Sequence, residues 1–222
     1  MPIAKTAGKW RACDRTDLAT CGSSTEVAIG AFLTAIKGGS PEAFFVNTDT
    51  VRRKLSSQIM TPGKWLVVMG AGGERVCAAM RRIDDRDAAK LIIDQTLYWC
   101  TFATEEEAIY YVGMLNSYAI SEAISAFQAR GAFGGRHVHT LPLKLIPKFN
   151  PFASSHSSVV RLTSAVVSEL ESSISTDPSV YESMLSPNTR LSVRRSALRK
   201  AIGKLTSSEK LEVACRSVIA GA

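Results

Sequence analysis

Residues 92–117, IIDQTLYWCTFATEEEAIYYVGMLNS, place a strand pattern directly before a helix pattern. The first half is short and rich in β-branched and aromatic residues, which predicts a strand over 91–101. Thr104 and Glu107 then form a capping box, so the spacing predicts that a helix begins there. The apolar stripe of this helix is formed by Ile109, Val112 and Leu115. A strand that leads into a helix within a few residues is typical of a sheet that carries helices.

Earlier segments extend the sheet. KWLVVMG (64–70) and RVCAAM (75–80) also have strand composition, and Pro62-Gly63 and Gly72-Gly73 separate them as turns. EAFFVNTD (42–49) is a further candidate strand. Before it, a capping box at 23–26 and apolar residues at helical spacing predict a helix that ends at Gly38-Gly39.

Later segments are mostly helical. A second helix is predicted over 117–131, ending at Gly131, and 130–149 is predicted to be extended, as an edge strand or a strand leaving the sheet. Helical spacing returns in 154–173 and 190–205. The expected fold is therefore α+β (mixed α/β), a small twisted sheet with flanking helices followed by a helical C-terminal segment. We expect a sheet-containing domain over 1–150 and the helical segment over 151–222.

Composition limits the class of protein. The chain of 222 residues is 45% hydrophobic and 21% charged, which is ordinary for a globular protein. Its longest apolar runs fall short of the roughly 18 residues that cross a bilayer, and the N-terminus lacks a signal-peptide core, so we expect a cytoplasmic protein without membrane contact. Five cysteines without a Cys-x-x-Cys pair argue against a disulfide scaffold and a zinc module.

The formal charge of +7 is unevenly distributed. Residues 101–129 carry four acids and no Lys or Arg, whereas 130–148 carry four cations and no acid, and 190–204 carry six cations and no acid. Such segregation suits a phosphate-binding face, because neutralised phosphates release counterions. A general basic excess that only aids solubility would give a similar composition.

The stretch 129–139, ARGAFGGRHVH, is the main candidate for nucleic-acid contact. Its paired glycines allow close approach of the backbone, arginine binds phosphate or guanine in a bidentate manner, and phenylalanine stacks on bases. A glycine hinge within a strand is the alternative. The candidate contact residues are Arg130, Phe133, Gly134, Gly135, Arg136, His137, His139, Lys144, Lys148, Arg194 and Arg195.

Three catalytic interpretations are weaker. Gly70-Ala71-Gly72 begins a cofactor-binding pattern, but Arg75 stands where its third glycine belongs and a strand pattern follows, so a hairpin turn is favoured. Asn150-Pro151-Phe152 is similar to the loop with which DNA methyltransferases hold a flipped base, yet it lacks the second proline and fits a turn before a helix. The region around the histidines has no Asp or Glu from 123 to 168 to orient an imidazole or complete a metal site.

Taken together, segments 63–80, 92–117 and 134–151 resemble the C-terminal, non-catalytic region of adenine-specific (N6) DNA methyltransferases of restriction-modification and phage-exclusion systems. The matching features are a strand with Asp94, Gln95, Leu97 and Tyr98, a helix with Leu115, Asn116 and Ser117, a strand with Gly134, Gly135 and Arg136, and an exit at Ile146 and Pro147.

This resemblance implies a target-recognition domain that binds double-stranded DNA. The catalytic half of the family, with its S-adenosylmethionine loop, lies before this region and is absent here. We therefore expect no catalytic residue, no cofactor and no metal in this chain, and a methyltransferase domain or subunit as its partner. The alternatives are a small S-adenosylmethionine-dependent enzyme that modifies nucleic acid and a helical piece that docks on a subunit.

Overall fold

The computed structural model describes most of the second half of the chain and parts of the first. The described residues are 3–6, 9–12, 58, 60–70, 75–85, 88, 91–93, 96–125, 129–131, 134–136 and 144–221. The candidate helix after residue 23 and the candidate strand 42–49 lie outside them. The chain forms two compact units, Met1–Gly63 with Ile83–Gln95 and Lys64–Arg82 with Thr96–Ala222. The division at residue 150 stays a prediction.

The first unit is described in pieces. Strands β1 (Ile3–Thr6) and β2 (Lys9–Ala12) pair antiparallel. Gln58 is buried and its side-chain amide makes two hydrogen bonds of 2.8 Å to the backbone of Ile93, one to the N–H and one to the C=O. The amide thus satisfies both backbone groups of Ile93, which was predicted to lie in a strand and does not.

The second unit contains an antiparallel three-stranded sheet of order β4-β3-β5. Its strands are β3 (Trp65–Gly70), β4 (Ala78–Arg82) and β5 (Leu97–Phe102). The predicted strands at 64–70, 75–80 and 91–101 are therefore confirmed, although β4 begins later than expected and β5 takes in only the end of its segment.

Two helices follow the sheet. Helix α1 (Glu105–Asn116) begins as predicted, with Thr104 Oγ1 accepting the N–H of Glu107, and α2 is Tyr118–Ser125. Helix α2 was predicted to run to Gly131. That was wrong, because Ala129–Gly131 is strand β6 and pairs antiparallel with β7 (Gly134–Arg136).

The C-terminal part is helical, as expected. It comprises α3 (Ser154–Thr176), a 3-10 turn (Pro178–Tyr181), α4 (Glu182–Leu185), α5 (Leu191–Ile202) and α6 (Thr206–Ala220). Helices α1, α3 and α6 pack around a core that the sheet covers. Its most deeply buried side chains include Tyr110, Met114, Ile120, Val159 and Cys215. The α+β class is therefore confirmed.

Gly113 sets the distance between α1 and α3. A Cβ atom at this position would overlap Thr163 Oγ1 and lie 3.3 Å from Val159 Cγ1. Only glycine lets the helices approach this closely, and the Thr163 hydroxyl at the crossing is buried without a hydrogen-bond partner.

Carboxylates from neighbouring helices cap two helix starts. Glu212 of α6 accepts the N–H groups of Tyr118 (2.7 Å) and Ala119 (2.9 Å) at the start of α2. Glu169 of α3 accepts those of Thr206 (2.9 Å) and Ser207 (3.1 Å) at the start of α6. Hydrogen bonds from the Ser207 hydroxyl and these two amides lower the pKa of Glu169. Each carboxylate satisfies free N–H groups at the start of a helix that is distant in the sequence. The bonds therefore hold α6 against α2 and α3 against α6.

Candidate nucleic-acid interface

The glycine-rich candidate stretch begins as a hairpin. Strands β6 and β7 pair with Arg130 opposite Gly135 and Gly131 opposite Gly134. The Gly-Gly-Arg segment is thus a strand, as the resemblance implied, and it pairs with the segment just before it in the chain. Phe133, His137 and His139 lie outside the described residues.

Lys144 and Lys148 follow the hairpin. Both are exposed, and Lys144 and Leu145 are helical where an extended strand was predicted. The expectation of strand was wrong there. Ile146 follows Leu145 directly and is buried in the core, whereas Lys144 remains at the surface.

The turn after Lys148 is held by four hydrogen bonds. Tyr110 Oη donates to the carbonyl of Pro147 (3.0 Å), and the Asn150 N–H donates to His156 Nδ1 (3.0 Å). Asn150 Oδ1 accepts the N–H of Phe152 (3.0 Å), and the backbone carbonyl of Asn150 accepts the N–H of Ala153 (3.1 Å). The amide oxygen that a base-flipping loop would offer to a base is therefore used within the turn. The interpretation of Asn-Pro as a turn before a helix is confirmed.

The rings of Tyr110, Phe149 and His156 pack against one another beside this turn. His156 stacks on Tyr110 with a centroid separation of 4.8 Å, and Phe149 lies 5.3 Å from Tyr110. His156 Nδ1 accepts a hydrogen bond, so the neutral tautomer with its proton on Nε2 is assigned. Burial lowers the pKa of His156, which favours the same neutral form. Phe152 lies in the turn itself, with 95% of its surface exposed.

Acidic residues share this end of the molecule. Tyr110 contacts His156 and Gly113 approaches Thr163, so α1 and α3 run in the same direction with their N-terminal halves at the same end. Glu105, Glu106 and Glu107 of the first turn of α1 therefore lie at the same end as Lys148. The cation-rich stretch therefore shares this end with carboxylates that are distant from it in the sequence.

Helix α5 carries a different distribution of charge. Residues 190–204 contain six cations and no acid, and the described side chains of α5 are all half-buried or exposed. Arg194 Nε donates to the carbonyl of Met184 (2.9 Å), which fixes α5 against α4. Arg195 and Arg199 are half-buried, and Lys200 is exposed.

The structure separates the candidate cations into two groups. Lys144 and Lys148 belong to the end where Asn150 meets His156, near the start of α3, whereas Arg194 is bonded to Met184 of α4, which packs on the 3-10 turn at the other end of α3. At about 1.5 Å per residue, α3 from His156 to Glu169 is about 20 Å long. Arg194 and Arg195 thus do not join Lys144 and Lys148 in one cluster.

The spacing of 190–204 also places Arg190, Arg199 and Lys200 opposite the apolar stripe, where they could follow a nucleic-acid backbone; a solvated amphipathic face explains the same pattern. Other cations are already engaged: Arg216 forms ion pairs with Glu122 (2.8 Å) and Glu212 (3.3 Å), and Arg75 lies 3.6 Å from the centre of the Tyr118 ring.

The glycine pattern at the end of β3 leads into another strand. Strand β4 pairs antiparallel with β3, and the Gly70 N–H donates to the carbonyl of Cys77 (3.2 Å). The predicted hairpin connection is confirmed, although residues 71–74 themselves lie outside the described part. Among the described residues, no three His, Cys, Asp or Glu side chains are grouped to hold a metal. No helix in the described ranges is both long enough and apolar enough to span a membrane.

Comparison with known proteins gives a likeness of fold. No family model matches the chain, and no curated protein matches it. A solved structure of the Type IIL restriction-modification enzyme MmeI in complex with DNA superposes on 84% of this chain with a TM-score of 0.51 and 12% sequence identity. The two share a fold. The match spans 22% of the MmeI chain, so the fold occurs there as one part of a much longer protein.

Proposed function

We propose that this chain is a DNA-binding target-recognition module of a restriction-modification system, serving an adenine-specific DNA methyltransferase whose catalytic site lies in another domain or subunit. The observation that carries the proposal is the shared fold with part of a restriction-modification enzyme that was solved in complex with DNA. In this proposal residues 1–150 form the recognition domain and 151–222 the helical segment.

The charge of the chain supports binding to a polyanion. The formal charge is +7, and four of the six cations of 190–204 lie on a helix that has no acid of its own. Gly131 and Gly134 form the last pair before the tip of a hairpin, Arg130 lies one pair further back, and Arg136 pairs with Ala129 at its base. The glycines permit close approach of the backbone to a ligand. A two-stranded ribbon of this kind is narrow enough to enter the major groove.

The geometry gives less support to an enzyme. A nucleotide or S-adenosylmethionine loop needs a helix after its glycine-rich turn, because the helix N-terminus supplies the amides that hold the ligand. Here the element after the turn is strand β4. The alternative of a small S-adenosylmethionine-dependent enzyme therefore ranks below the binding module.

Fluorescence anisotropy with labelled duplexes of about 30 base pairs tests the proposal. We expect saturable binding at 50 mM NaCl and an affinity that falls with salt, with a log–log slope of about 0.9 for each phosphate contacted. The Arg136→Ala variant should bind more weakly. If the protein failed to bind duplexes of any sequence at 50 mM NaCl, the proposal would be wrong. Calorimetry with S-adenosylmethionine is the companion measurement, and clear binding there would favour the enzyme.

A further inference from the structure

We propose that helix α5 is the main phosphate-binding element of this chain, and that its ligand is the sugar-phosphate backbone of DNA. This inference rests on the proposed function and deepens it, since it assigns the contact to one face of one helix. It also predicts that the Lys144–Lys148 end contributes little.

The first argument is the charge arrangement within α5. Arg195 and Arg199 are four residues apart on one side of the helix, so like charges face each other. Arg190 is the N-cap residue and caps no backbone group with its side chain, and a cation at this end opposes the helix dipole. Both features cost helix stability in the free protein, and a bound anion would relieve both.

The second argument is how little α5 is buried. None of its described side chains is buried, whereas α1, α3 and α6 each contribute several residues to the core. Val193 is 48% exposed. Ser192, Val193, Ser196 and Lys200 form its exposed face, which the half-buried Arg195 and Arg199 border, so this face is available to a ligand.

The third argument is that α5 has a fixed position. The bond from Arg194 Nε to the Met184 carbonyl anchors its first half, and the Glu169 cap on Thr206 anchors the chain just after it. Arg199 and Lys200 are thus held on a positioned helix. Such pre-organisation lowers the entropy lost when side chains bind phosphates.

The fourth argument is the contrast with the other end of α3. Lys148 lies at the end that also holds Glu105, Glu106 and Glu107, and these carboxylates repel phosphate. The potential of a cationic face depends on the charges around it. The short helix α4, which Arg194 joins to α5, carries one acid, Glu182, against three in the first turn of α1, so α5 is the stronger attractor.

The experiment compares two variants that lose the same charge. One is Arg195→Gln/Arg199→Gln/Lys200→Gln on α5, and the other is Lys144→Gln/Lys148→Gln/Arg161→Gln, whose three residues are exposed outside α5. Glutamine keeps most of the aliphatic stem and a good helix propensity, so both should fold, and far-UV circular dichroism checks this. The probe is a labelled mixed-sequence duplex of about 30 base pairs in 50–300 mM NaCl.

For the α5 variant we expect the salt slope to fall by about two to three units and the affinity at 100 mM NaCl to fall at least about tenfold. The matched variant should change affinity by less than about threefold. An Arg195→Lys/Arg199→Lys variant should keep the slope, because the charge is retained.

Other outcomes separate the two proposals. If the wild type binds DNA and the α5 variant keeps its slope, the assignment of α5 is wrong while the proposed function stands. If the wild type binds poly-L-glutamate and the α5 variant loses this binding while its salt slope on DNA is unchanged, α5 is a docking surface for an acidic protein. If the wild type does not bind DNA at low salt, the proposed function itself fails.

Discussion

Replacing Gly113 by alanine tests the packing of α1 on α3 at its tightest point. Alanine in place of a helical glycine normally stabilises a helix by up to about 1 kcal/mol. Here the new Cβ would overlap Thr163 Oγ1 and press on Val159. Overpacking of this kind costs about 1–3 kcal/mol, and the direct overlap with Thr163 places this site in the upper half of that range, so we expect a net loss of about 1–2 kcal/mol.

Urea and thermal unfolding followed by circular dichroism measure this change. A loss of 1–2 kcal/mol corresponds to a fall in Tm of about 2–8 °C for a protein of this size. The Thr163→Ala variant removes a buried hydroxyl that has no hydrogen-bond partner, so its own effect should be small. Combined with Gly113→Ala it should restore most of the loss. If Gly113→Ala alone raised the Tm, the two helices would not pack in the register described.

Three further predictions concern single groups. Burial lowers the pKa of His156 in the folded state, so its contribution to stability is complete above about pH 6.5 and declines as the pH falls below that value. In matched urea titrations, the wild type should therefore lose stability on acidification faster than the His156→Phe variant. Asn116 makes 2.9 Å bonds to both backbone groups of Ala78, so Asn116→Ala should cost about 1–3 kcal/mol in the same assay, whereas an unchanged midpoint would contradict those bonds. Burial raises the pKa of the Cys215 thiol to about 12, so iodoacetamide at pH 8 should leave it unmodified until urea unfolds the protein.

The sequence predicted elements well where local signals agree with packing. The capping box at Thr104 and Glu107 marks the start of α1, and the β-branched run at 64–70 forms the central strand β3. In both cases the local preference and the hydrophobic pattern favour the same structure. The start of a capped helix is among the most readable features of a sequence.

Prediction was poorer where contacts between residues distant in the sequence decide the local structure. The apolar stripe of α1 was predicted to be Ile109, Val112 and Leu115, of which Leu115 is buried. Tyr110 and Gly113 face α3, because the Tyr110 ring stacks on His156 and the absent side chain of Gly113 admits Thr163, and hydrophobic periodicity encodes neither contact. Helical spacing continued past Ser125, but pairing with Gly134–Arg136 makes 129–131 a strand. Tertiary pairing overrides local propensity in such segments.

The candidate site shows the same division. The sequence identified the cation-rich stretches 130–148 and 190–204, since charge runs need no knowledge of the fold. It could not show that Glu105–Glu107 share an end with Lys148, because that proximity depends on the parallel packing of α1 and α3.

Hydrogen–deuterium exchange with and without a bound duplex tests most directly the claim that a DNA-binding surface includes α5. We expect slower amide exchange on binding in Leu191–Ile202 and in the hairpin 129–136, and little change in the sheet strands Trp65–Gly70 and Leu97–Phe102. Protection confined to the sheet or to the turn around Lys148, with α5 exchanging at its free rate in the complex, would contradict the account.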